Sequence, residues 1–157
     1  MTVYVCSLSA TPDQLIPPGG GYTLLKFPFE ENQYDVHCMH QPQQPDGIMA
    51  ASGDARSGLI WPCVAGWGTL IAHFQWEAGG YDEIRDQFVR DPLGFTSNPM
   101  DVTAVDHRAP TPGMQFFTKT HGIFVKPGVP LGVMVRHSDK VPRKVTYAQF
   151  KLVIHPT

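Results

Sequence analysis

Charge is scarce in this sequence. Only 17% of its 157 residues are Asp, Glu, Lys or Arg, against about a quarter in an ordinary soluble domain. The net charge is −2 and no basic run exceeds two residues, which argues against a nucleic-acid groove or a patch for an anionic membrane. Long apolar runs are missing too. Nothing approaches the roughly eighteen consecutive apolar residues of a membrane-spanning helix, and no basic-then-apolar leader follows Met1. A soluble chain with no visible address is expected. Cysteine is limited to Cys6, Cys38 and Cys63. An odd number in apolar surroundings reads as buried thiols of a reducing cytosol, not as a disulfide framework. Convincing helical periodicity is also lacking; the nearest case is Tyr81 to Arg90, with Ile84 and Phe88 at i and i+4.

What is present is turn chemistry and alternation. The 15 glycines and 15 prolines suit a protein of many short strands. The organising stretch runs from Gly58 to Asp91. From Trp67, residues Gly68, Leu70, Ala72, Phe74 and Trp76 share one face, while Thr69, Ile71, His73 and Gln75 share the other. Successive strand side chains point to opposite faces, so the first set enters a core and the second faces outward. Leu131 to His137 alternates with Leu131, Val133, Val135 and His137 on one face and Gly132, Met134 and Arg136 on the other. Thr146 to His155 places Ala148, Phe150, Leu152 and Ile154 opposite Tyr147, Gln149, Lys151, Val153 and His155. Further strands are expected at Val3 to Leu8, Tyr22 to Phe27, Gln33 to Met39 and Met114 to Val125.

Two stretches interrupt this pattern. Ser9 to Gly21 holds three prolines and three successive glycines, and Asp91 to Gly113 is the longest polar stretch. Both are expected as irregular loops (9–21 and 91–113) on a single domain spanning 1–157. Short strands without helices indicate an all-β chain, a two-sheet antiparallel β-sandwich of jelly-roll topology.

The order of motifs also resembles a known family. A Gly-aromatic entry leads into an alternating strand that ends in Trp (GWGTLIAHFQW), and EIRDQFVRDP follows. Then come an aromatic strand, a Pro-Gly turn, GVPLGVMVRH and a final TYAQFKLVI strand. From Leu59 to Ile154 this is similar to the jelly roll of the tumour-necrosis-factor and complement-globular-head superfamily. The closer likeness is to the version found in bacteriophage tail and capsid-surface proteins. The resemblance implies that Trp67–Trp76, Leu131–His137 and Thr146–His155 are neighbours in one sheet beside a three-fold axis. Its outer face would carry Ile71, His73, Met134, Tyr147, Gln149 and Val153 toward sister subunits of a homotrimer.

Catalytic and metal chemistry is thin. On a strand Cys38 and His40 would share a face, but a zinc site needs three or four ligands. Asp101 and Asp106, with His107, lack the oxygen-rich spacing of a calcium loop. No G-x-S-x-G occurs, and the cysteines lack the local signatures of catalytic thiols. Gly19-Gly20-Gly21 precedes a strand and offers no helix N-terminus to an anion. No cofactor is implied and the chain reads as non-enzymatic. Tyr81 and Trp61 are the aromatics placed to stack on a sugar, and the five arginines from Arg85 to Arg143 look scattered.

The leading expectation is a structural protein of a bacteriophage virion, made in the host cytoplasm, as a minor tail component or a capsid decoration. It would act through trimerisation and contacts with other virion proteins. A carbohydrate-binding, receptor-recognition module is the alternative, and a small sandwich hydrolase a third option. The two irregular segments are expected to grasp neighbours through Tyr22, Phe95, Asp101, Asp106 and Arg108.

Overall fold

The computed structural model describes residues 2–157 and contains nine strands with one 3₁₀ turn. These are β1 (Tyr4–Ala10), β2 (Gln14–Ile16), β3 (Thr23–Leu24), β4 (Gly66–Trp76), β5 (Ile84–Arg90), β6 (Asp101–Arg108), β7 (Gln115–Val125), β8 (Leu131–His137) and β9 (Arg143–Pro156), with the 3₁₀ turn at Ala55–Gly58. The first sheet runs β1-β9-β4-β7, with β2 continuing beside β9. The second runs β3-β8-β5-β6. All pairings are antiparallel. Two packed antiparallel sheets in this order form the expected jelly roll.

β4 sits at the middle of the first sheet, paired along its whole length with β7 on one side and β9 on the other. Its even-numbered residues are buried and its odd-numbered ones are not, as the period-two reading requires. Phe74, Trp76, Val133, Val135, Phe150 and Leu152 are all fully buried in one cluster that joins both sheets. Phe88 stacks on Phe150 at 6.1 Å between ring centroids.

The alternation fails on β8, where six of seven residues are buried. The backbone around Leu59–Trp61 pairs with the start of β8 through an Ile60–Leu131 bridge, which sends Ile60 into the main core. Leu24, Leu59, Trp61, Val89 and Met134 form a satellite core on the outer side of the second sheet. That placement corrects one expectation. β8 does not lie beside β4 and β9, and Met134 is buried on the outside of the opposite sheet. Parity located its face within β8 correctly; which sheet β8 joins depends on long-range pairing that parity does not encode.

The expected strand at Gln33 to Met39 is absent. The segment touches β1 through one bridge, Ser7 with Tyr34, and then folds around Asp35. The Asp35 carboxylate accepts bonds from Met39 N and His40 N, both at 2.7 Å, and from Gln41 Nε2 at 2.9 Å. A side-chain acceptor has competed with the ladder for backbone donors, and Cys38 is turned to φ +55°. Cys38 and Cys63 are exposed, so only Cys6 is the buried thiol that the sequence suggested for all three. Burial first, with the Asp35 carboxylate beside it, pushes the Cys6 thiol up.

The stretch 91–113 is not one loop, because it contains β6. Alternation does not reveal this strand, because it is an edge strand with polar residues where a core strand would have apolar ones. Asp106 and Arg108 turn toward Lys119 of β7 and Asp86 of β5. The turn before β6 is pinned by Asp91, which accepts from Phe95 N at 2.7 Å, Thr96 N at 2.8 Å and Thr96 Oγ1 at 2.6 Å. Burial opposes ionisation of Asp91, but these bonds outweigh it and hold its carboxyl below the usual range. The stretch 9–21 is likewise shortened, since β1 runs to Ala10 and β2 pairs with β9.

The β8–β9 turn is closed by Asp139. Its carboxylate accepts from Arg143 Nε at 2.6 Å, Gly80 N at 2.8 Å and Lys140 N at 2.7 Å. These bonds, Arg143 foremost, lower its pKa from 3.8 to about 2. A folded pKa below the unfolded one stabilises the fold above the unfolded value and is lost as pH falls through the folded value. Asp139→Asn should therefore remove part of the acid sensitivity of unfolding between pH 3.8 and about 2, read from denaturant midpoints at each pH, and leave the neutral-to-alkaline slope unchanged. An unaltered acid limb would show that this clamp is not coupled to folding.

Candidate functional site

The outer face of the first sheet is the surface whose chemistry stands out. Register assembles it in rows across β9, β4 and β7: His155–Trp67–Phe124, Val153–Thr69–Gly122, Lys151–Ile71–Thr120, Gln149–His73–Thr118 and Tyr147–Gln75–Phe116. Trp67, Phe116 and Phe124 are 53%, 56% and 48% exposed, far more than aromatic side chains usually leave to water. Lys151 is the one residue in these rows with a permanent charge. A face this poor in charge loses little hydration when covered.

Polar groups at its centre satisfy one another. Gln75 Nε2 approaches His73 Nε2 at 3.1 Å, and His73 Nδ1 lies 2.9 Å from Thr118 Oγ1. An amide nitrogen only donates, so Nε2 accepts and Nδ1–H donates to the threonine hydroxyl. Gln149 Nε2 donates to the Tyr147 hydroxyl at 2.8 Å, and the Tyr147 ring meets His73 edge-on at 6.2 Å. At one end the Trp67 indole lies over Gly122, where a Cβ would stand 2.7 Å from the ring. A side chain at 122 would displace the indole seated there.

Of the expected interface residues, Ile71, His73, Tyr147, Gln149 and Val153 share this face and Met134 does not. Trp67, Phe116 and Phe124 are its most exposed aromatics and were not singled out from sequence. Their signal was legible, because Trp67 has the outward parity of β4 and the aromatic pair in QFFTKTHGIFV alternates in the same way.

The expected contact residues of the irregular segments are tied into the chain itself. Asp101 pairs with Arg90 at 3.0 Å. Arg108 Nε lies 2.6 Å from Asp86, and Lys119 Nζ lies 2.5 Å from Asp106. Phe95 stacks on Trp61 at 6.2 Å beneath the Arg56 guanidinium, and Tyr22 lies against Arg136. These residues belong to an edge strand and to packed turns, not to free arms.

The two sugar-stacking candidates are also enclosed. Trp61 is 4% exposed and donates Nε1–H to Gln44 Oε1. Tyr81 is 7% exposed, its hydroxyl bonded to the Glu77 carbonyl and its ring edge-on to Trp76. Cys38 and His40 do not form a ligand pair, because Cys38 is exposed while His40 is buried with Nε2 on the Ser57 carbonyl at 2.7 Å. Asp101 and Asp106 are each matched to a cation, Asp106 to Lys119 before all else. No cluster of three His, Cys, Asp or Glu side chains suited to a metal ion occurs among the described residues. No helix among them is long and apolar enough to cross a membrane.

The fold has known counterparts. The globular domain of zebrafish complement 1qA protein superposes with a TM-score of 0.64 at 10% identity, over 98% of this chain and 98% of that one. The Eiger TNF of S. frugiperda matches with a TM-score of 0.53 at 11% identity, over 98% of this chain and 92% of that one. No protein-family model and no curated protein sequence matches. The chain therefore has the jelly roll of the tumour-necrosis-factor and complement globular domains, as its motifs suggested. At such identities the likeness concerns fold alone.

Proposed function

We propose that this protein is a non-enzymatic structural subunit that forms a homotrimer through the outer face of β1-β9-β4-β7. We further propose that it serves as a minor tail component or capsid decoration of a bacteriophage virion. The observation that carries the reading is the uncovered face itself, with Trp67, Phe116 and Phe124 exposed around a polar centre that is already hydrogen-bonded. Apolar, charge-poor surface of this kind marks association sites, and a closed cyclic assembly lets one face be buried in every copy. The sequence resemblance to phage tail and capsid-surface proteins supports the virion setting. Light scattering should return three times the 17.4 kDa of one chain, and the protein should co-purify with particles of the phage that encodes it. A monomer at high concentration would end the trimer reading, and absence from purified particles would end the virion reading.

A further inference from the structure

Two arginines that look unrelated in sequence meet on the opposite side of the sandwich. Arg85 of β5 and Arg136 of β8 are direct cross-strand partners, and His107 of β6 is the next residue in the same row. Tyr22 closes the row, with the Arg136 guanidinium 5.5 Å from the centre of its ring. Like charges placed opposite each other across a sheet repel. Among the described residues their one ion-pair partner is Glu83, 2.6 Å from Arg85. The Glu83 carboxyl is held below its usual range by Arg85 first, with smaller contributions from the charges of His107 and Arg136. Arg136 pairs with no carboxylate among the described residues, and Arg85 Nε is a buried donor without an acceptor. The row has more donors and more positive charge than its own chain satisfies.

Beside Arg136 lies a shallow, open depression of about 560 Å³, lined by Pro18, Gly19, Gly20, Ser138 and Lys140 among others. Nothing lies within 4 Å of where a Cβ at Gly19 would stand, so the backbone there is bare. Ser138 Oγ already accepts from Asp82 N and Glu83 N, which leaves its hydroxyl proton to donate. Asp139 borders the depression too, but its carboxylate is engaged by Arg143, Gly80 and Lys140 N. These walls set hydrogen-bonding groups beside carbon surface from Pro18 and the glycine backbone, with no large aliphatic or aromatic hydrocarbon side chain. That suits a hydroxyl-rich ring better than a peptide, whose anchors are usually aromatic or aliphatic.

We propose that Arg85 and Arg136, with His107 and Tyr22, form the anion subsite for an acidic saccharide. The sugar's carboxylate or sulfate bridges the two guanidiniums, and its ring lies in the depression against Gly19, Ser138 and Lys140. Guanidinium forks are matched to planar and tetrahedral oxyanions through paired, charge-assisted bonds. The site is independent of the proposed trimer contact, because it faces outward from the other sheet.

Calorimetric titration of the intact protein tests this with five probes: a sialic acid-bearing trisaccharide, a sulfated disaccharide, lactose, sodium sulfate and an acidic peptide. One or both acidic sugars should bind, lactose should not, and affinity should fall as NaCl is raised. Arg136→Gln should weaken acidic-sugar binding by about tenfold or more, the size of one charge-assisted hydrogen bond, with an unchanged melting temperature. Glu83→Gln should strengthen it by removing the competing carboxylate. Failure of both acidic sugars to bind, or equal binding by Arg136→Gln, overturns the proposal. Sulfate binding as tightly as the acidic sugars overturns the saccharide assignment, as does lactose binding equally well. An acidic peptide binding more tightly than any sugar overturns it in favour of a protein partner.

Discussion

Ile71→Arg should turn the proposed trimer into a monomer without unfolding the chain. Ile71 lies mid-strand on β4 between Lys151 and Thr120, so the new guanidinium points out of the sandwich and the core is untouched. In the assembly it would have to be buried near two further copies of itself and three copies of Lys151. An unpaired charge at a buried contact costs about 3–5 kcal/mol, and each 1.4 kcal/mol is about tenfold in affinity. The dissociation constant should therefore rise by roughly a hundredfold to a few thousandfold for each such charge buried. Sedimentation should show one 17.4 kDa species with an unaltered β-type circular dichroism spectrum. Val105→Arg is the control, since Val105 is 45% exposed on the second sheet and its substitution should leave the mass unchanged. If Ile71→Arg stays trimeric while Val105→Arg dissociates, the contact lies on the other sheet and the assignment of the face is wrong.

The second large effect concerns stability at the β6–β7 side of the sandwich. Asp86 and Lys119 project between the sheets with side chains 1% and 3% exposed and their charges 3.3 Å apart. Arg108 reaches Asp86 from outside, and Asp106 reaches Lys119. The Lys119 ammonium also lies 5.4 Å from the centre of the Phe88 ring. Asp86→Ala would leave the Arg108 guanidinium without its nearest carboxylate and Lys119 dependent on Asp106 alone. Removing one partner of a buried pair costs about 3–5 kcal/mol, which for a domain of this size lowers the melting temperature by on the order of 10 °C. The double change Asp86→Leu with Lys119→Met should recover much of that loss, because an apolar pair needs no compensation. Should the single and double variants melt together, the charges are solvated and the network contributes little. The same network explains why β6 is an edge strand that holds its place, for its inward residues are bound by charge where its neighbours are bound by apolar packing.

Alternation within one strand is a local property, and the sequence by itself determined it. The buried and outward sets of β4 and β9 follow from a period of two residues, as does the all-β class from the glycines, prolines and missing helical repeat. The order of motifs was enough to point to the jelly roll. Three other features depended on partners distant in the chain. Asp35 turned an alternating segment into a loop by capturing Met39 N and His40 N, which alternation has no way to register. β6 was a strand without an apolar face, since its inward positions meet Lys119 and Asp86 instead of hydrocarbon. Met134 takes the side of β8 that parity assigns, but β8 belongs to the second sheet. The charge-poor face around Trp67, Phe116 and Phe124 and the Arg85–Arg136 row are likewise products of register. Only strand pairing brings those side chains together, because hydrogen-bonded ladders join residues that sequence distance keeps apart.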